Sequence, residues 1–492
     1  MTDRVGIVGA GIGAAPNLVF LVADQLRADA LGLAGNTVAR TPRLDALAAS
    51  GTVCTDAHVQ HPVCSPSRVS FLTGWYPHVR GHRTLTHLIQ ADEPNLLRIL
   101  RDAGYYVAWA GERGDTFAPG VTELSVDEYG CSEAPDRAPG DEFPSEFRAR
   151  LFYGGVLPPG GVDHDEAAVR TAEERLASPP PEPWALFVAF MAPHCPFQAE
   201  EPWFSAVDRG AVPAPQPVPT GPEAAFKAAL RSRAGLDRAT SGMWQEVAAV
   251  YHGMVARLDH HVGRIGDAVS RTGQAGRTVT FFFSDHGEYL GDFGLVEKWP
   301  SAMDRCITAT PLVVSGPGVP AGRRHHGPVE LIDVLPTALG LAGLTAPHHH
   351  FGRSLLPLFA DPAYPHRTFA FTEGGFSLSE VDQTERAPFP YDVKSDLQHE
   401  DPRLVGRAVA VRAEDWTYVW RLYEPPELYD RRADPAEAVN LAGTSGAPEV
   451  EATMKEALLR WQVETADIIP TTVDPRSPEV HCRFPAVTGS RR

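Results

Sequence analysis

Short, continuously apolar runs punctuate the first three quarters of the chain, and between them the apolar positions fall at helical spacing. Leu18-Val19-Phe20-Leu21-Val22-Ala23 has no polar position at all, as a central strand buried on both faces should read. Similar runs occur at Tyr105 to Ala110, Ala185 to Phe190, Val279 to Phe283 and Pro311 to Val314. Thr41-Pro42 opens a helix with proline at its first position, which Gly51 is expected to close. Arg68 to Thr73 reads as a helix ended by Gly74, and Asn95 to Leu100 and Asp165 to Ser178 as two more. Met243, Val247, Val250, Met254, Leu258, Val262, Ile265 and Val269 recur every three or four residues, which predicts one long amphipathic helix. Another helix is expected near Ile332 to Leu335. This alternation predicts an α/β protein with a large, mostly parallel sheet sandwiched by helices.

After about residue 375 the pattern changes. Val409 to Arg412, Thr417 to Trp420 and Glu427 to Asp430 read as short strands, followed by a helix from Glu449 to Thr465. The expected organisation is a flexible extension over 1–15, an α/β catalytic domain over 16–375, and a small C-terminal α+β domain over 376–492 containing an antiparallel sheet. The proline-rich run Val212 to Pro222 reads as an irregular insertion, either a surface loop or a lid.

Composition narrows the function. With 43% hydrophobic and 22% charged positions in 492 residues, the chain has the balance of a soluble globular protein. A formal net charge of -18 repels phosphate backbones, so nucleic acid is not an expected partner. No apolar run approaches membrane-spanning length, and no membrane partner is expected. Six cysteines with no Cys-x-x-Cys do not form a disulfide framework or a zinc site, and favour a reducing, cytoplasmic setting over a secreted or periplasmic one. Gly9-x-Gly11-x-x-Ala14 imitates a dinucleotide fingerprint, but Ala15-Pro16-Asn17 and a strand follow where a helix must begin.

Chemistry gathers at the ends of the apolar runs. Asp24-Gln25, Pro193-His194-Cys195-Pro196 and Ser284-Asp285-His286-Gly287-Glu288 each close a predicted strand, where open α/β sheets place their sites. Asp24 reads equally as a helix N-cap. Cys64-Ser65-Pro66-Ser67-Arg68 puts a cysteine at a helix N-terminus, where backbone N–H groups favour an anion; a buried structural cysteine is the alternative. His82 and His87 are candidates to line a substrate pocket. His260-His261 reads as helix surface and His348-His349-His350 as a surface turn.

In their order and spacing these segments resemble the type I sulfatases of the alkaline phosphatase superfamily. The resemblance runs from Pro16-Asn17 and Asp24 through Thr41-Pro42, Cys64 to Arg68, Pro193-His194, Ser284 to Glu288 and Gly294 to Lys298, to Glu427 to Asp430 and Asp434-Pro435. It implies that Cys64, in Cys-x-Pro-x-Arg, is oxidised to formylglycine by a formylglycine-generating enzyme. It implies one divalent cation held by Asp24, Gln25, Asp285, His286 and an oxygen of modified Cys64, with Ca²⁺ favoured over Mn²⁺ or Mg²⁺. Arg68 would steady the formylglycine, while His194 and Lys298 would contact the sulfate, His194 as the acid for the leaving oxygen.

Two departures bear on substrate. Gln25 and His286 stand where many members have Asp and Asn, as in branches resembling choline sulfatases and phosphonate monoester hydrolases. Glu112-Arg113 stands where many have Lys-x-His. The expected activity is hydrolysis of small-molecule or saccharide sulfate monoesters, with phosphonate or phosphate ester hydrolysis, or metal and anion binding without catalysis, as alternatives. Oligomeric state is left open.

Overall fold

The computed structural model describes residues 15–111, 115–136 and 143–469. Fifteen strands follow in chain order: β1 (Asn17–Ala23), β2 (Gly51–His58), β3 (Tyr106–Ala110), β4 (Glu128–Gly130), β5 (Tyr153–Val156), β6 (Trp184–Ala189), β7 (Phe197–Ala199), β8 (Thr278–Ser284), β9 (Ala309–Ser315), β10 (Arg323–His325), β11 (Val329–Glu330), β12 (Ala370–Gly374), β13 (Ala408–Arg412), β14 (Trp416–Arg421) and β15 (Glu427–Asp430). Among the described residues, nine form a large sheet in the order β10-β2-β9-β8-β1-β6-β3-β4, with β11 also on β2. The runs that are apolar throughout take its centre. β1 pairs in parallel with β6 on one side and β8 on the other. Among the described strands of this sheet, β9 alone runs against its neighbours β8 and β2, so β1, β2, β6 and β8 all deliver their C-terminal ends to the same edge.

Alternation along β1 explains why both faces must be covered. Leu18, Phe20 and Val22 point into one apolar layer and Val19, Leu21 and Ala23 into the other. The first layer packs on α2 (Cys64–Thr73) and α5 (Val334–Leu341), the second on α1 (Pro42–Ala49), α3 (His164–Ala177) and the 31-residue α4 (Ser241–Arg271). Phe20 stacks on Phe281 with centroids 5.1 Å apart, and burying such a ring contributes about 1.5–3 kcal/mol.

Several local expectations change. Gly51 does not close α1 but opens β2, because a Cβ there would lie 2.2 Å from the Val314 carbonyl oxygen. His261 is buried beside Phe190, their ring centroids 6.3 Å apart, although His260 is exposed. Asp24 caps no helix, since the chain bends after β1. His348 is held inward, its Nε2 2.7 Å from the Thr73 carbonyl. The run 212–222 has no helix or strand and packs on the loop near Phe293, whose N–H donates to the Gln216 carbonyl at 2.9 Å.

The small sheet is antiparallel, β12-β13-β14-β15, and takes its first strand from Ala370–Gly374, before residue 376. One face is covered by α6 (Pro448–Glu464), where Trp461 stacks on Phe371 at 4.9 Å. The other face abuts residues 299–303. Arg421 donates to the Ser301 carbonyl at 3.0 Å, and Trp299 Nε1 to the Leu404 carbonyl at 3.0 Å. A Cβ on Gly374 would lie 2.1 Å from the Pro300 carbonyl oxygen, so the two segments meet backbone to backbone. Residues 1–14, with the glycine-rich motif and most of the expected extension, and Glu112-Arg113 lie outside the described residues.

Candidate active site

The ends of β1 and β8 are tied together by their own polar groups. Leu26 N–H donates to Ser284 Oγ at 2.9 Å, Gln25 N–H to Asp285 Oδ1 at 3.1 Å, and Asp285 N–H to the Ala23 carbonyl at 3.2 Å. Gln25 sits in left-handed backbone (φ 65°), a conformation costly for a side chain with a Cβ. Tyr251 helps hold it there, donating to the Gln25 carbonyl at 2.8 Å while accepting from Arg27 N–H at 2.9 Å.

Arg68, one turn into α2 from Cys64, spans both strand ends. Its Nε donates to Asp285 Oδ2 at 2.9 Å and its Nη2 to Asp24 Oδ2 at 3.0 Å, and Asp115 Oδ1 lies 3.7 Å from its Nη1. The guanidinium thus occupies the outer oxygen of each carboxylate. The inner oxygens face His286, whose Nε2 is 3.6 Å from Asp24 Oδ1 and 3.8 Å from Asp285 Oδ1. His286 Nδ1 lies 2.9 Å from the Gly287 carbonyl, which only accepts, so Nδ1 carries the hydrogen and Nε2 the lone pair. Burial lowers the His286 pKa and keeps the ring neutral. Its Nε2 has no hydrogen-bond partner among the described residues.

Cys64 completes the group: ligand atoms of Asp24, Cys64, Asp285 and His286 all lie within 4.8 Å of one another, and all four residues are buried. A lone pair and two carboxylate oxygens turned into one space fit a divalent cation. Burial, with Asp24 adding to it, raises the Cys64 thiol far above its usual range. Gln25 stands at the rim. Its side-chain oxygen accepts from Lys298 Nζ at 2.8 Å and its amide nitrogen donates to Glu288.

Lys298 links this cluster to the end of β6. Its Nζ also lies 2.8 Å from Glu297 Oε1 and 3.1 Å from His194 Nε2. His194 Nδ1 is 2.6 Å from the Cys195 carbonyl and must donate to it, so Nε2 accepts from Lys298. Burial disfavours the ammonium, but the neighbouring carboxylates Glu297 and Asp24 oppose it and the Lys298 pKa is raised. Behind them lie carboxylates that sequence reasoning passed over. Burial and the neighbouring Glu297 lift Glu288 to about 7. Glu297 is held at about 2, because Lys298 and Lys394 together overcome the opposing effect of its burial. Glu288 was legible as the last residue of the Ser284 to Glu288 run. Lys394, distant in sequence, carried no signal.

His82 and His87 line a cleft of about 620 Å³ with Arg80, Arg83, Thr86 and Glu380, and it shares no lining residue with the Cys64 cluster. A cavity of about 610 Å³ between α1, α4 and the N-terminal part of β8 likewise includes none of the site residues.

A sequence model of the sulfatase family matches residues 16–344, the greater part of the chain. A choline-sulfatase of Rhizobium meliloti is 26% identical over 92% of this chain and 88% of its own. A multifunctional alkaline phosphatase superfamily protein of Trinickia caryophylli is 28% identical over 92% and 96%. The crystal structure of a phosphonate monoester hydrolase of Agrobacterium radiobacter superposes with a TM-score of 0.72 at 24% identity, covering 92% of this chain and 96% of that one. That likeness carries the fold, a large mostly parallel sheet between helices with a C-terminal antiparallel sheet. From the family match over its α/β part, the chain belongs to the sulfatase family and is a sulfuric ester hydrolase.

Proposed function

We propose that the chain hydrolyses sulfate monoesters through formylglycine made from Cys64, beside one divalent cation held by Asp24, Gln25, Asp285 and His286. The observation that carries this reading is the division of labour between carboxylate oxygens: the outer pair on Arg68, the inner pair turned with the His286 lone pair toward Cys64. Ca²⁺ is the ion we favour, because oxygen donors outnumber the single imidazole. Bound there, the cation supplies charge withdrawal from a non-bridging ester oxygen and orients the nucleophile. Formylglycine, as its hydrated geminal diol, would supply one hydroxyl to displace the alcohol from sulfur and a second whose deprotonation would expel the sulfate and restore the aldehyde.

The chain's own side chains do the rest. Arg68 holds both aspartates in register at α2. Lys298 offers its N–H groups to the sulfate oxygens, in a buried setting where such bonds are strong. An ester entering between Lys298 and His194 takes the hydrogen bond these two now share, and the leaving oxygen draws its proton from this pair. The sparse cysteines without a Cys-x-x-Cys support a cytoplasmic setting.

Peptide mass spectrometry tests the nucleophile. In protein from its native host, the tryptic peptide Leu44 to Arg68, reduced and left unalkylated, is expected about 18 Da lighter than its thiol form; an intact Cys64 thiol in active enzyme would refute the assignment. Chelation should abolish turnover and re-addition of Ca²⁺ restore it, whereas restoration by Mn²⁺ alone would reassign the ion. Gln25, His286 and the likeness to a phosphonate monoester hydrolase structure favour one second reading, phosphonate ester hydrolysis at the same site. Phenyl sulfate is expected to turn over faster than phenylphosphonate monoesters, and the reverse order would establish the second reading.

A further inference from the structure

The segment that carries His194 leaves β6 at Phe190 and re-enters regular structure at β7. Phe190 N–H donates to the Val22 carbonyl at 2.8 Å, which fixes its start on β1, and Phe197 N–H donates to the Phe152 carbonyl at 2.7 Å, which fixes its end. Between them Pro193 and Pro196 have no N–H to give. The His194 N–H closes a turn onto the Met191 carbonyl at 2.8 Å. The remaining two amides before the histidine, Met191 and Ala192, both go to one side chain: Met191 N–H to Asp165 Oδ1 at 2.6 Å and Ala192 N–H to Asp165 Oδ2 at 2.9 Å.

Asp165 lies in the first turn of α3, but it does not serve the helix. Asp163 is the cap, accepting from Glu166 N–H at 2.9 Å. Asp165 is buried, 3% exposed, where an ionised carboxylate is costly to keep. Two consecutive N–H groups pointing the same way need two acceptor oxygens, and a carboxylate offers both where an asparagine offers only one.

We propose that Asp165 is a positioning residue for the hydrolysis: by taking both amides it fixes the turn that aims His194 Nε2 at Lys298. The inference rests on the reading of His194 and Lys298 as the sulfate-contacting pair. It predicts that Asp165 matters only through His194.

The test is a double-mutant cycle on phenyl sulfate, whose basic leaving group makes proton delivery count. Asp165→Asn is expected to lower kcat by about tenfold or more, since a displacement of about 1 Å can cost a hundredfold, with KM changed by less than about threefold. In a His194→Ala background the same substitution should cost less than about twofold more. Asp163→Asn, which touches the Arg257 ion pair but not the turn, should leave kcat within about twofold. Equal losses from Asp165→Asn in both backgrounds would make Asp165 merely structural and overturn the proposal, as would an unchanged kcat. A His194→Ala enzyme as active as the wild type would instead overturn the reading of His194, and the proposal with it. Should Asp165→Asn fail to fold, Asp165→Glu, which keeps both oxygens but shifts them, provides the same comparison.

Discussion

Arg68 shows how one side chain sets the terms for its neighbours. It is the cation shared by Asp24 and Asp285, and all three are buried. Removing one partner of a buried ionic group typically costs about 3–5 kcal/mol, so Arg68→Ala should lower the unfolding midpoint sharply in chelator and recover much of the loss when Ca²⁺ is added. An Arg68→Ala protein as stable in chelator as the wild type would refute this account. Glu297 makes a pH prediction. Its folded pKa of about 2 lies below the ordinary 4.5, so its stabilisation is complete above about pH 4.5 and is lost as pH falls toward 2. A shift of this size is worth about 3 kcal/mol. Glu297→Gln should therefore destabilise the protein at pH 6 and flatten the decline of stability between pH 4.5 and 2; an unaltered slope would exclude it as the source. At this scale the sequence was partly legible. Asp24, Cys64, Asp285 and His286 each end an apolar run or open a helix, and pattern alone exposes that. Asp165 and Lys394 act through contacts with residues remote in sequence, as does Glu297 through Lys394, and no local periodicity encodes them.

At the scale of elements, the site exists because strands with no polar positions must lie at the centre of the sheet, and parallel neighbours must end together. That logic was readable before any coordinates. What was not readable was β12, whose five residues Ala-Phe-Thr-Glu-Gly alternate too weakly to announce a strand, or the reversed direction of β9, which depends on its neighbours rather than its own sequence. β12 has a mechanical role. Gly374 presses its backbone against Pro300, two residues beyond Lys298. Gly374→Ala forces a methyl group against the Pro300 carbonyl, so we expect a destabilisation of about 2 kcal/mol or more together with a fall in kcat. Loss of stability with full catalytic rate would show that Lys298 does not depend on this contact.

Across the whole molecule, two apolar layers and a small C-terminal sheet lock around one edge of the large sheet. α2, which starts at Cys64, is enclosed on all sides: each of its ten residues is buried. A side chain so enclosed is beyond the reach of another enzyme's active site, which gives the proposed oxidation of Cys64 a place in time. It belongs to the nascent or unfolded chain, before the layers close. Folded thiol protein exposed to a formylglycine-generating enzyme should remain a thiol, while the same chain offered unfolded should be converted, as the mass of the Leu44 to Arg68 peptide would report. Conversion of the folded protein at a comparable rate would contradict this ordering. If Cys64 is the nucleophile's precursor as proposed, the fold that encloses it also leaves its oxidation a single opportunity: a chain that closed too early would be correctly shaped and silent.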